Sequence, residues 1–87
     1  MEYNKEDLLN KLKDKPLVIW GARMTGIGFS HFVKKYDLNA ICFVDSDHNL
    51  VGRTFNDLDI LHPSEIQKLR KENSDLKVVI AASLKED

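Results

Sequence analysis

Short apolar runs alternate along the chain with longer segments in which apolar residues recur every three or four positions. Three of the runs, at residues 16–21, 40–45 and 76–83, are continuous rather than alternating, which is typical of strands buried on both faces of a sheet. A shorter run at residues 59–61 predicts one more, brief strand. The segment 46–57 is polar and rich in turn-forming residues, and we expect it to be irregular.

Two of the intervening segments read as short amphipathic helices. The first carries a single apolar stripe, formed by Leu8, Leu9 and Leu12. Asn4 is a candidate for its N-cap, and Pro16 ends it. The other begins at Pro63, a residue that suits the first helical position, with His62 as its cap, and extends to about residue 72.

Residues 24–36 form the longest helical segment. At 100° per residue, Gly26 falls on the same face as Phe29 and Val33, so we expect this face to pack closely on a sheet. Buried strands that alternate with helices indicate a parallel sheet with right-handed crossovers. The predicted fold class is α/β: a three-layer Rossmann-like half. Its parallel sheet has the strand order 3-2-1-4, with the third strand as a short edge strand and residues 78–82 beside the first strand.

Composition narrows the class of protein. The 87 residues suffice for one small domain, and 43% hydrophobic with 31% charged residues is typical of a soluble globular chain. The apolar runs are too short to cross a bilayer, and the net charge of −1 is spread without a basic patch, so we expect neither a membrane nor a nucleic-acid partner. The N-terminus lacks an apolar signal core, and a single cysteine excludes an internal disulfide. Both features favour the cytoplasm.

The segment VIWGARMTGIG, residues 18–28, contains the candidate chemistry. Gly21 and Gly26 stand where a G-x-G-x-x-G fingerprint has its first and third glycines, but Arg23 takes the place of the second. The Arg23 guanidinium could itself hold a phosphate, and the helix that begins near Met24 offers free N–H groups to an anion. The alternative is a strand-to-helix corner in which glycine serves geometry alone.

Asp45 is the second candidate. It ends a buried strand 24 residues after Gly21, close to the offset of about 20 residues expected for a carboxylate that binds ribose hydroxyls. The alternative is a polar residue that merely leaves a strand. Asp45 and Asp47 also suggest a calcium loop, a glycosyltransferase metal motif or a phosphatase nucleophile. However, Leu50 and Asn56 replace the glycine and glutamate of a calcium loop, and the chain is too short for either enzyme. We expect no metal and no catalytic residue.

Other reactive side chains indicate structural roles. The three histidines lack the spacing of a zinc motif, and Cys42 lies inside a predicted strand as a buried, inert thiol. Trp20 is expected in the core at the end of its strand, with stacking against a base as the alternative.

From residue 17 to residue 83 the chain resembles the small Rossmann-like modules of bacterial surface-carbohydrate biosynthesis enzymes. The resemblance lies in the order of a glycine turn, a strand that ends in Asp, a V-G turn, a P-S-E-I helix and a final strand. Such modules include the N-terminal domain of PglD-type sugar O-acyltransferases and domains of some epimerases, dehydratases, glycosyltransferases and methyltransferases. The NAD-binding domains of Rex repressors and of Gfo/Idh/MocA oxidoreductases have a similar order of elements.

The resemblance implies a surface that binds NAD or a UDP-sugar, with the phosphate near the N–H groups of residues 24–26. It assigns the phosphate turn to Gly21, Ala22, Arg23, Thr25 and Gly26, the ribose side to Asp45 and Ser46, and the loop after the last strand to Ala82 and Ser83. The implied partners are a nucleotide or sugar nucleotide and the remainder of a parent enzyme, because residues 1–87 resemble one domain of a longer transferase or sugar-nucleotide-modifying enzyme.

The alternative function is a non-catalytic interaction or dimerisation module with a vestigial nucleotide site. In that case Arg23 points to solvent or pairs with a local carboxylate. Residues 78–82, predicted as an edge strand without charge or proline, also predict association into a homodimer.

Overall fold

The computed structural model describes residues 5–80, and for Lys5 and Thr25 it describes the backbone alone. In chain order the elements are α1 (Lys5–Leu12), β1 (Pro16–Trp20), α2 (Met24–Lys35), β2 (Asn39–Val44), β3 (Thr54–Phe55), β4 (Leu58–Leu61), a 3₁₀ turn (Pro63–Glu65), α3 (Ile66–Glu72) and β5 (Lys77–Ile80). The predicted cap at Asn4 and the predicted strand residues 81–83 lie outside the described range. Between residues 5 and 80, no helix is both long and apolar enough to span a membrane.

The strands form one mixed sheet in the order β3-β4-β2-β1-β5. β1 runs parallel to both β2 and β5, and β4 runs parallel to β2, whereas β3 is antiparallel to β4. The prediction of a four-stranded, purely parallel sheet is wrong, and the full strand order differs from 3-2-1-4, because a fifth strand, β3, displaces β4 from the edge. The four predicted strands keep their relative order. The placement of the last strand beside the first is confirmed, since Trp20 lies opposite Ile80 in the β1–β5 register.

The strand that the sequence pattern missed is half of a tight hairpin within the segment expected to be irregular. Phe55 pairs with Leu58, so the loop between β3 and β4 consists of Asn56 and Asp57. Both loop residues have positive φ, 49° and 66°, as a type I′ turn requires. Asn and Asp tolerate this left-handed conformation better than other non-glycine residues, which is why the turn forms without glycine.

Helices cover both faces of the sheet, which gives the expected three layers. On one face α1 and α2 enclose a core of Leu12, Leu17, Ile19, Ala22, Phe29, Val33, Phe43, Ile60 and Val79. On the other face α3 packs Ile66 and Leu69 against a second cluster of Val18, Cys42, Val44 and Leu76. β1 and β2 are thus covered on both sides, so alternate residues of each strand are equally apolar.

Gly26 marks the closest approach of α2 to the sheet. A Cβ atom at this position would overlap the carbonyl oxygen of Gly21 and lie 2.7 Å from its carbonyl carbon. Gly21 has a φ of 112°, a conformation that side chains disfavour. The geometric roles expected for these two glycines are confirmed. Gly28 is different, because a Cβ atom there would meet nothing within 4 Å.

Candidate functional site

The carboxyl ends of β1 and β2 meet the N-terminus of α2 at one edge of the sheet. β1 ends at Trp20 and α2 begins at Met24, which leaves a three-residue glycine turn, residues 21–23. The N–H of Gly21 donates to the carbonyl of Val44 at 2.8 Å, so this turn lies directly against the end of β2. Parallel α/β sheets bind their ligands at this kind of edge.

Asp45, the first residue after β2, ties the glycine turn to the loop that follows. Its Oδ2 atom accepts a hydrogen bond of 2.9 Å from the N–H of Ala22, and its Oδ1 atom accepts one of 2.9 Å from the N–H of Asp47. Partial burial acts to raise the pKa of the Asp45 carboxyl. The two backbone hydrogen bonds and the nearby Arg23 charge outweigh that effect, and the pKa lies below its ordinary value. Asp45 is therefore held as a carboxylate.

Arg23 and Asp47 form an ion pair that also joins the glycine turn to the loop after β2. Its Nη2 atom lies 2.6 Å from Oδ2 of Asp47, while Oδ1 of Asp47 accepts a hydrogen bond of 2.9 Å from the N–H of Asn49. The Arg23 side chain is 74% exposed and that of Asp47 24%. Pairing with a local carboxylate is what the interaction-module alternative predicts, yet most of the Arg23 side chain still faces solvent.

The start of α2 presents backbone donors beside these carboxylates. The first hydrogen bond between successive turns runs from the N–H of Ile27 to the carbonyl of Arg23, at 2.9 Å. The N–H groups of Met24, Thr25 and Gly26 precede it and have no acceptor within the helix. Arg23, at the N-cap position, supplies no side-chain hydrogen bond to them. Such donors, together with the helix dipole, suit an anion.

The other predicted site residues fall into two groups. Ser46 is exposed and directly follows Asp45, whereas Ala82 and Ser83 lie outside the described residues. Trp20, expected in the core, is instead 39% exposed, so that expectation is wrong, and Met24 is 89% exposed.

Sequence reasoning considered Asp47 as a metal or phosphatase ligand and missed it as the partner of Arg23. The pairing follows from the strand register, which only the structure reveals. Trp20 lies opposite Val44, an offset of 24 residues, and the same offset separates Arg23 from Asp47. The register of the two strands, continued into their loops, brings the two charged side chains together.

Two other reactive groups, Cys42 and His62, have structural roles. Burial raises the pKa of the Cys42 thiol to about 11, with a further contribution from the Asp59 charge, so the thiol is inert as expected. His62 caps the 3₁₀ turn by accepting a hydrogen bond of 3.2 Å from the N–H of Ser64. Among residues 5–80, no group of three or more His, Cys, Asp or Glu side chains is placed to hold a metal ion.

A groove of about 430 Å³ lies near the amino ends of β1 and β2, between α1 and the turn that precedes β2. Lys13, Asp14 and Tyr36 are among its lining residues. Because the groups suited to an anion and to hydroxyls converge at the glycine turn instead, we place the candidate site at the turn rather than in the groove.

No protein-family model matches the sequence, and no curated protein matches it significantly. Solved structures do match. A UDP-D-quinovosamine 4-dehydrogenase from Vibrio fischeri aligns with a TM-score of 0.65 and 21% identity, over 74% of this chain and 55% of that one. RSP, a Rex-family repressor, aligns with a TM-score of 0.66 and 18% identity, over 84% of this chain and 37% of that one.

RSP in complex with β-NADH aligns with a TM-score of 0.65 and 21% identity, over 90% of this chain and 43% of that one. The chain therefore spans between about a third and just over half of the length of these matched proteins. At such low identities the likeness concerns the backbone. It shows that this chain has a Rossmann-like fold.

Proposed function

We propose that this chain binds a nucleotide at the glycine turn and that NAD is its first candidate ligand. The observation that carries the proposal is the juxtaposition of the free N–H groups at the start of α2 with the Asp45 carboxylate after β2. The donors suit a pyrophosphate, and the carboxylate suits ribose hydroxyls. Each carboxylate oxygen of Asp45 already accepts one backbone N–H but has a second lone pair for a further donor.

The solved neighbours support this choice of ligand. One of them is a complex with β-NADH, and another is a dehydrogenase of a UDP-sugar. We therefore rank NAD first and a UDP-sugar second. Because this chain corresponds to only part of each neighbour, binding is proposed for the module. Any reaction belongs to a longer parent protein, for which we propose a cytoplasmic transferase or sugar-nucleotide-modifying enzyme of surface-polysaccharide biosynthesis.

In the proposed complex, the phosphates lie over the N–H groups of Met24, Thr25 and Gly26. Arg23 lies alongside the phosphates, and Asp45 faces the ribose. Gly21 and Ala22 shape the turn beneath the ligand, and Ser46, Ala82 and Ser83 are proposed as further ligand contacts. No residue of the chain is assigned a catalytic role, and no metal is invoked.

A second candidate function is favoured by one contact. The ion pair between Arg23 and Asp47 is the arrangement predicted for an interaction module whose nucleotide site is vestigial. In that case the glycine turn serves the packing of α2 on the sheet, and the module contacts protein partners only.

Titration of isotope-labelled protein with NAD⁺, ADP and UDP-N-acetylglucosamine separates the two functions. We expect saturable amide shifts at residues 21–26 with a Kd of about 1 mM, because one mononucleotide-binding half supplies part of the usual contacts. Arg23→Ala should weaken binding. Lys68→Ala, which removes an exposed positive charge from α3, should not. Absence of saturable shifts at these residues at millimolar ligand would contradict nucleotide binding and favour the interaction module.

A further inference from the structure

We infer that Asp47 sets the affinity of the nucleotide site by competing with the ligand phosphate for Arg23. In this inference Arg23 leaves Asp47 when a nucleotide binds, so removal of the Asp47 charge strengthens binding. This inference rests on the proposed nucleotide function. It adds Asp47 as a positioning residue, whose carboxylate acts through Arg23 and does not itself contact the ligand.

Asp47 is the fixed member of the pair. Its N–H donates to Oδ1 of Asp45 and its Oδ1 accepts from the N–H of Asn49, both at 2.9 Å. These bonds hold the Asp47 backbone and carboxylate independently of the arginine. The Arg23 side chain, 74% exposed, is held at its tip by the 2.6 Å contact to Asp47. Arg23 is therefore the member that can change partner without disturbing the loop.

The ion pair lies beside the groups proposed to hold the ligand. Arg23 is the N-cap residue of α2, immediately before the free N–H groups, and Asp47 follows the ribose-side carboxylate by two residues. A phosphate over the start of α2 and the Asp47 carboxylate are alternative acceptors for one guanidinium. Because a guanidinium can bind either kind of anion through two parallel N–H donors, the two compete directly.

Exposed ion pairs contribute little to stability, and because Arg23 is largely exposed, separating it from Asp47 costs little free energy. We therefore expect Asp47→Asn to tighten ADP binding only modestly, by about two- to fivefold. The substitution keeps an oxygen that can accept the N–H of Asn49, so the loop conformation should be preserved. Asp47→Glu, which retains the charge, should bind ADP with close to wild-type affinity.

The test compares ADP affinities of the wild-type protein, Asp47→Asn, Arg23→Ala and the double variant. Asp75→Asn is the matched control, since it removes an equal charge from the exposed loop before β5, at the other edge of the sheet. In the Arg23→Ala background, Asp47→Asn should change the affinity no more than Asp75→Asn does. The side-chain N–H resonance of Arg23 should move both on Asp47→Asn substitution and on addition of ADP to the wild-type protein.

Each other outcome has a distinct meaning. If ADP shifts residues 21–26 but Asp47→Asn binds no more tightly than the wild type, this inference is wrong and the nucleotide function stands. If the gain persists without Arg23, Asp47 acts through its own charge and the competition is again rejected. If neither the wild type nor Asp47→Asn binds ADP, the nucleotide function and the inference fail together.

Discussion

The backbone N–H of Ala22 donates a 2.9 Å hydrogen bond to the carboxylate of Asp45, across 23 positions of sequence. This bond joins the turn after β1 to the end of β2, the two segments from which the candidate site is built. The other oxygen of Asp45 accepts from the N–H of Asp47, so the glycine turn and the loop after β2 form one hydrogen-bonded unit. One carboxyl group thus connects the two segments of the candidate site.

Asp45→Asn should lower the free energy of unfolding by about 1 kcal/mol at neutral pH, because both backbone hydrogen bonds lose a charged acceptor. The pKa of Asp45 lies below its ordinary value of 3.8 in the folded protein. The carboxylate therefore stabilises the fold at pH values above 3.8, and this contribution is lost as the pH falls through the lower, folded-state pKa. Denaturant unfolding at several pH values measures both effects.

The control for that experiment is Asp75→Asn, which removes an exposed carboxylate elsewhere. We expect the difference in stability between wild type and Asp45→Asn to shrink on acidification below about pH 4. A difference that stays constant with pH, or that equals the effect of Asp75→Asn, would show that the Asp45 charge does not hold the turn.

Two glycines of α2 should respond oppositely to alanine. Gly26→Ala places a Cβ atom into the carbonyl group of Gly21 and should destabilise the protein by about 2–3 kcal/mol. Gly28→Ala enters open space on an exposed helical position and should stabilise it by about 0.5–1 kcal/mol. Thermal or denaturant unfolding decides the sign of each. A stabilising Gly26→Ala would refute the close approach of α2 to the turn.

Ser30 should contribute more to the stability of the fold than its small side chain suggests. Its hydroxyl, 1% exposed, donates to the carbonyl of Ile27 and accepts a 2.5 Å hydrogen bond from the side-chain amide of Asn56, which anchors the β3–β4 hairpin to α2. Ser30→Ala should cost about 1–2 kcal/mol of unfolding free energy. Lys34→Ala breaks only an exposed 3.5 Å ion pair to Asp57, and its effect should stay within about 0.5 kcal/mol. Equal effects would mean that the buried hydrogen bond does not anchor the hairpin.

Cys42 should resist alkylation until the protein unfolds. The thiol is 3% exposed and has a pKa of about 11, so at pH 8 only about one thiol in a thousand is ionised. We expect the rate of modification by iodoacetamide to follow the unfolding equilibrium across a denaturant series. The fully denatured chain is the positive control. Rapid reaction of the native protein would contradict the buried position of this strand residue.

The edge of β5 should mediate self-association. Trp20 and Ile80 are register partners on β1 and β5 and are 39% and 48% exposed, side by side. Sedimentation at high concentration should detect a dimer that Ile80→Glu weakens, because a charge would be buried in the interface. Lys77→Glu changes an exposed residue of the same strand and serves as the comparison. A wild-type protein that stays monomeric at high concentration would refute the association.

The sequence by itself determined most of the local structure. Continuous apolar runs predicted β1, β2 and β5, and the helical period identified α2 together with the buried position of Gly26. These predictions succeeded because each depends on the hydrophobic pattern within one element, which is set by the residues of that element alone. The cap at His62 is likewise a local feature, because the ring of His62 accepts from the N–H of Ser64, only two residues away.

The tertiary structure decided the contacts between elements. Asn56 and Asp57 locally permit the positive φ values of the β3–β4 turn, but the bond from Asn56 to Ser30 on α2, which anchors the hairpin, has no local signal. Likewise, Arg23 meets Asp47 because β1 and β2 pair in one particular register. Register depends on how the whole sheet packs against its helices, so the ion pair beside the candidate site emerges only when the strands are assembled.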